Sequence, residues 1–202
     1  MPTTPEQDMQ DRPPAPAAPF DELEAIYGER AQRRYGLADI NQLMHAVQAG
    51  ALARAEGAPA TLVVAALLHD LGHMVHGLGE HPVADGIDDG HEEIGACWLA
   101  RHFGAAVVEP VRLHVAAKRY LCATEPGYFN RLSRDSVDSL ALQGGPMSDA
   151  EADDFERRPY WREAVVLRRI DERAKDPNGP LPPFGAFRED IERARALCRA
   201  GR

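Results

Sequence analysis

At 202 residues, 44% apolar and 27% charged, the chain is long enough to bury one core without disulfides, and its composition excludes the disordered and fibrous classes. A formal net charge of −9 argues against a general nucleic-acid-binding role, because neutralising phosphates needs an excess of Lys and Arg along one face. The longest apolar stretch, 61–68, is far too short to span a bilayer, and the acidic, proline-rich N-terminus lacks the order of a secretory leader, so a cytoplasmic protein without a membrane partner is expected.

Residues 1–19 hold Pro2, Pro5, Pro13, Pro14, Pro16 and Pro19. So many missing amide donors suit neither a helix nor a central strand, and a flexible tail is expected ahead of a single domain over 20–202. From Asp21 the pattern turns helical: Asp21 can cap, Glu24 follows three residues later, and Leu23, Ile26 and Tyr27 recur at helical spacing. A helix is predicted over about 40–56, with Leu43, Val47, Gly50, Ala51 and Ala53 on its apolar side and His45 near that stripe. The next, over about 61–73, is rich enough in Ala, Val and Leu to be buried on nearly every side, and it carries His69 and Asp70. A glycine- and aspartate-rich connection at 74–90 leads to a helix over 92–103, with His91 at or before its first turn. Pro110 is expected to open a helix that bears His114 and Lys118 and ends before Pro126-Gly127. Further helices are predicted over 133–142, 148–158 and 160–175, then a Pro/Gly loop at 177–185 and a last helix. No period-2 strand is convincing, so the chain is all-α, without an internal repeat. Cys97, Cys122 and Cys198 have no C-x-x-C spacing and fit neither a disulfide framework nor a zinc ribbon.

An adjacent His69-Asp70 pair inside an apolar helix is costly, because an unpaired buried carboxylate shifts its pKa or destabilises the fold. A divalent metal compensates: neutral imidazole donates to iron, manganese or zinc, and a carboxylate can bridge two ions. Alone, the dipeptide has the bland alternative of a hydrogen-bonded polar pair. The order His45, His69-Asp70, His91, His114, Asp171 outweighs it. Apart from the adjacent pair, each of these residues comes from a different predicted helix, as when a bundle points its ligands inward. One ion would need only His45, His69, Asp70 and Asp171, so His91 and His114 argue for a second, with Asp70 bridging.

The segments L-M-H-A-V-Q-A-G at 43–50, V-A-A-L-L-H-D-L-G-H at 64–73, G-H-E-E-I-G-A at 90–96, L-H-V-A-A-K-R-Y-L-C at 113–122, P-G-Y-F at 126–129, L-Q-G-G-P at 142–146 and L-R-R-I-D at 167–171 carry a resemblance. Over roughly 20–176 the chain resembles the mixed-valent diiron oxygenases of the HD-domain superfamily, in particular the PhnZ/TmpB-like phosphonate-cleaving group. The resemblance implies an HD-domain helical bundle around a central dinuclear metal site. It also implies two iron ions, as mixed-valent Fe(II)/Fe(III), on His45, His69, Asp70, His91, His114 and Asp171, with O2 as co-substrate. It makes Lys118, one helical turn beyond His114, a phosphonate-binding lysine, with Ser136, Ser139 and Arg168 as further phosphonate contacts, or Arg169 if that helix is rotated. His73, at i+4 from His69, corresponds to a histidine that hydrogen-bonds substrate, and Tyr35 to a tyrosine that occupies an iron site until substrate displaces it. His76, His81 and His102 match nothing and read as surface residues.

One departure bears on the substrate. Where the family's aminohydroxyethylphosphonate enzyme has an acidic residue three positions after the Tyr35 equivalent, this chain has Ala38, with Asp39 adjacent. That favours an N-methylated or otherwise substituted phosphonate, whose trimethylammonium group would prefer aromatic faces; Tyr27, Tyr35, Tyr120, Tyr128 and Trp161 are candidates. The expected reaction is oxygen-dependent cleavage of the C–P bond of (R)-1-hydroxy-2-(trimethylamino)ethylphosphonate to glycine betaine and phosphate. The alternatives are a 2-amino-1-hydroxyethylphosphonate oxygenase of the same family and a two-metal HD phosphohydrolase using the same six ligands. A small phosphonate is the only partner expected beyond a second copy of the chain, as monomer or homodimer.

Overall fold

Every regular element in the computed structural model, which describes residues 19–32, 39–76 and 86–200, is helical. In chain order these are α1 (Pro19–Glu29), α2 (Gln42–Ala55), α3 (Ala60–Leu68), α4 (Leu71–Val75), α5 (His91–Leu99), α6 (Ala105–Thr124), α7 (Arg134–Leu142), α8 (Asp149–Glu156), α9 (Trp161–Arg173) and α10 (Arg188–Ala200), with 3-10 turns at Phe129–Arg131 and Phe184–Phe187. The all-α reading holds. No helix among the described residues is long and apolar enough to cross a membrane.

Capping chemistry sets several boundaries. The Asn41 side chain accepts from the Met44 amide at the start of α2, Ser133 does the same for Ser136 at α7, and Ser148 with Glu151 forms a reciprocal capping box at α8. α1 starts at Pro19, so Asp21 lies in its first turn rather than capping it. Proline is well suited to a first helical position, where its missing N–H leaves nothing unpaired.

Two expectations need correction. The helix predicted over 61–73 is broken: α3 ends at Leu68, and His69 and Asp70 form a turn before α4. The His69 ring, through Nδ1, bonds the Ala66 carbonyl at 2.9 Å, the acceptor that the Asp70 amide would use in a continuous helix. Pro110 does not open its helix but sits inside α6, which begins at Ala105. The earlier start buries Val107 and Val108 beside Val111, and the proline lies near enough to the N-terminus that only the partly exposed Ala106 carbonyl loses its partner.

α3 is the axis of the bundle, with Leu62 to Leu68 all buried. α2, α6, α9 and α10 pack around it. The last segment closes the core through Phe184, Phe187, Ile191 and Ala194. Two glycines permit close approach. A Cβ on Gly50 would lie 2.8 Å from the Phe187 ring, and one on Gly72 would lie 1.9 Å from the His91 carbonyl oxygen. The second contact draws the start of α5 against α4, which brings His91 to the His69-Asp70 turn.

A candidate metal centre

The break between α3 and α4 aims His69 and Asp70 at the middle of the bundle, where His45 from α2, His91 from the first turn of α5, His114 from α6 and Asp171 from α9 converge. All six residues singled out in the sequence meet there. His45, His69 and Asp171 form one group, and His69, Asp70 and His114 another; within each, one ligand atom per residue lies within 4.8 Å of the rest. His45 Nε2 is 3.1 Å from His69 Nε2 and 3.2 Å from Asp171 Oδ1. On the other side His91 Nε2 and His114 Nε2 are 3.2 Å apart, and each is 3.7 Å from Asp70 Oδ1. Asp70 stands between the halves, its Oδ1 also 3.3 Å from His69 Nε2 and its Oδ2 3.6 Å from His45 Nε2.

The opposite ring nitrogens fix the orientation. Nδ1 of His45, His69 and His114 bond the backbone carbonyls of Ala174, Ala66 and Val111 at 2.8, 2.9 and 2.7 Å. His91 Nδ1 instead bonds a carboxylate, Asp89 Oδ1, at 2.8 Å. Since a carbonyl or carboxylate only accepts, each Nδ1 carries the proton, and the four Nε2 atoms face one another in two close pairs. Two lone pairs at that distance repel unless a proton or a cation lies between them. Imidazoles fixed with Nδ1 protonated, together with two carboxylates, are a donor set that fits a pair of divalent ions once any proton on Nε2 is displaced.

The charges agree. Burial would raise the Asp70 pKa, but the surrounding imidazoles, His69 foremost, hold it far below the carboxylate range. Burial is likewise outweighed at Asp171 by Arg168 and Lys175. At His91 burial is overcome by the Asp89 hydrogen bond and the Asp70 charge, which hold the ring up at about 9. At His114, burial and the neighbouring His91 and His69 push it well below the usual histidine range.

Beside the Asp171 half lies a cationic patch. Lys118 is 3% exposed and donates to Ser139 Oγ at 2.7 Å. Arg168, also buried, pairs with Asp171 and Glu172, donates to Ser136 Oγ at 3.1 Å and to the Tyr128 hydroxyl at 3.2 Å. Lys175 reaches the same Ser136 hydroxyl at 3.2 Å and Asp171 at 3.3 Å. Burial and the Arg168 charge push the Lys118 ammonium down to about 7. Three cations around two serine hydroxyls, set against the Asp171 and Glu172 carboxylates, have the chemistry to bind a small oxyanion. His73 stands at the other edge, Nε2 4.0 Å from Asp70 Oδ1, its ring stacked on His91 with centroids 3.9 Å apart. Arg169 points outward to Glu125.

Tyr35 and Ala38 lie outside the described residues, as does His81. His76 and His102 are not the surface residues expected: the His76 side chain is 2% exposed, 3.4 Å from Asp89, and His102 packs beside Trp98 and Glu22. Of the aromatic candidates, Tyr27 stacks on Phe184 and donates to the Leu67 carbonyl, while Tyr120 and Trp161 pack with Phe155. Tyr128 alone among the described four touches the site. Sequence reasoning missed Asp89, Glu172 and Lys175. Lys175 had a signal, four residues after Asp171 in the helix predicted over 160–175, although α9 ends at Arg173; Asp89 looked like one more loop acid.

A bundle that turns four imidazoles and two carboxylates inward from separate elements belongs with helical proteins built around an internal histidine-carboxylate centre. Residues 39–176 match the HD domain family. The chain is 39% identical over 168 residues to a [1-hydroxy-2-(trimethylamino)ethyl]phosphonate dioxygenase (glycine-betaine-forming) of Leisingera caerulea, covering 83% of this chain and 86% of that protein. It is 46% identical over 156 residues to a hydroxymethylphosphonate dioxygenase of Gimesia maris, 76% and 77% of the two chains. An uncharacterized protein, L432, of Acanthamoeba polyphaga mimivirus is 31% identical over 150 residues, 73% of this chain and 68% of that protein. The chain belongs to the HD domain family, as an oxygenase of the PhnZ/TmpB-like group.

Proposed function

We propose that this oxygenase cleaves the C–P bond of a small 1-hydroxyphosphonate with dioxygen, releasing phosphate. The observation that carries the reading is the adjacency of two features: the paired Nε2 atoms about Asp70, and the Lys118, Arg168, Lys175 and Ser136 patch that shares Asp171 with them. Held by His45, His69, Asp70, His91, His114 and Asp171, two iron ions would supply oxygen binding and electron transfer there, with Asp70 standing between the two halves. The remaining work falls to the chain. Lys118 and Arg168 neutralise the phosphonate and, with Ser136 and Ser139, hold it beside Asp171. His73, its Nδ1 proton committed to Asp89 at 2.7 Å, keeps Nε2 for a bond to the substrate hydroxyl. Tyr35 is assigned the role of guarding the site before substrate arrives. The buried setting keeps water from competing for these charged contacts.

The substituent on C1 separates two substrates. (R)-1-Hydroxy-2-(trimethylamino)ethylphosphonate, giving glycine betaine, is supported by the Leisingera relative and by Ala38 in place of an acid. Hydroxymethylphosphonate is favoured by a specific observation: Tyr27, Tyr120 and Trp161 are committed to packing elsewhere, which leaves Tyr128, among the described candidates, as the aromatic at the site for a quaternary ammonium. The test is phosphate release by the iron-loaded chain in air from hydroxymethyl-, 2-amino-1-hydroxyethyl- and (R)-1-hydroxy-2-(trimethylamino)ethylphosphonate. Turnover of either the first or the last, with the primary amine poorest, is expected. Turnover of the primary amine alone would overturn the use made of Ala38. Hydrolysis of phosphoesters with none of the three turned over would favour the two-metal phosphohydrolase.

A further inference from the structure

Asp89 lies outside the six residues that gather at the centre, yet it is tied to more of the histidines than any backbone carbonyl there. Its side chain is 2% exposed. Oδ1 accepts from His91 Nδ1 at 2.8 Å and from the His91 amide at 3.3 Å. Oδ2 accepts from His73 Nδ1 at 2.7 Å and lies 3.4 Å from His76 Nε2. The other three central rings, His45, His69 and His114, rest on neutral carbonyls. The centre is therefore asymmetric: one imidazole is backed by a full negative charge. Gly90, at φ +57, supplies the left-handed turn that swings Asp89 back onto the ring two residues later.

We propose that Asp89 is a positioning residue that selectively strengthens the His91/His114/Asp70 half of the centre and couples it to His73. A carboxylate on Nδ1–H makes the imidazole a stronger donor at Nε2 and fixes its tautomer and rotation, which a carbonyl does less strongly. The same carboxylate fixes His73 with Nε2 toward Asp70 and stacks it on His91, so the substrate-facing histidine and this half of the centre share one anchor. The inference rests on the proposal that His91 is a metal ligand.

The test is an anaerobic titration of the metal-free full chain with ferrous ion, with bound iron counted at each step, for wild type, Asp89→Asn and Asp89→Glu. Wild type is expected to take two equivalents. Asp89→Asn keeps the shape but loses the charge, and is expected to bind one of its two equivalents as wild type does and the other about 10–100-fold more weakly. Asp89→Glu is expected to recover part of that loss. Melting temperature of the metal-free chains separates this from a folding defect, since the selective loss is predicted in protein that melts as a single cooperative unit. Equal binding of both equivalents by Asp89→Asn, equal weakening of both, or a third equivalent in wild type that the variant alone loses, would overturn the inference while leaving the two-metal reading intact. Fewer than two equivalents in wild type would overturn both.

Discussion

Lys118 shows how a single buried group sets a pH dependence. Its ammonium sits at about 7 because burial and Arg168 oppose the charge. In the proposed role Lys118 holds the phosphonate in its protonated form, so kcat/KM, which reports the free enzyme, is expected to fall as pH rises through about 7. In Lys118→Arg, whose guanidinium stays charged, that alkaline limb should vanish. Lys118→Met should raise KM about 10–100-fold, the worth of a charge-assisted hydrogen bond of about 1.5–3 kcal/mol. The stability sign is opposite. The folded pKa lies below the unfolded value of about 10.4, so between the two the unfolded chain holds a proton that the folded chain lacks, and stability rises with pH across that window. Thermal melts should therefore show Lys118→Met most stabilised relative to wild type at pH 7 and below, with the gap closing toward pH 10. Arg168→Ala, by contrast, removes a buried guanidinium from Asp171 and Glu172, leaving Lys175 as the cation they share, and should cost about 3 kcal/mol in denaturant unfolding. The six gathered residues were visible in the sequence because chemistry-bearing side chains in a fixed order along apolar helices stand out, whereas Lys118 and Arg168 were singled out by the resemblance to the phosphonate-cleaving group. Asp89 was not, because its partners come from three-dimensional folding of a polar loop.

Helices were legible where caps and periodicity agree, as at α2, α7 and α8. They were misread where a local side-chain bond or a tertiary contact overrides backbone preference. Nothing in the apolar run 61–73 announces that the His69 ring takes the Ala66 carbonyl, or that Gly72 touches the backbone of α5. That contact makes a graded prediction. Gly72→Ala must push α4 from α5 and should destabilise the protein by about 3 kcal/mol or more, and loss of iron from the His91 half should accompany it. Gly95→Ala, with its nearest neighbour at 3.1 Å, should cost less. Gly28→Ala, in α1 with nothing within 4 Å, should stabilise by about 0.5–1 kcal/mol. Denaturant midpoints that fail to follow this order would refute the account of the α4–α5 approach.

For the molecule as a whole, fold class and centre were legible together, because one order of six residues dictates which helices must face one another. What surrounds the centre was less so: the sequence offered five aromatics for the substrate's far end, and folding assigns most of the described ones to the core or to the cluster around Phe155. Metal loading should couple to protons. With His91 held at about 9, the metal-free protein carries a proton there at pH 7.5, and a ligating ion must displace it. Calorimetry in two buffers of different ionisation enthalpy should show net proton release on loading. The central claim, that this site spends dioxygen to break a C–P bond, is tested most directly by following oxygen and phosphate together in one vessel with iron-loaded protein and hydroxymethyl- or (R)-1-hydroxy-2-(trimethylamino)ethylphosphonate. The account predicts one dioxygen consumed for each phosphate released and no phosphate without oxygen; phosphate release that continues unchanged under anaerobic conditions would contradict it.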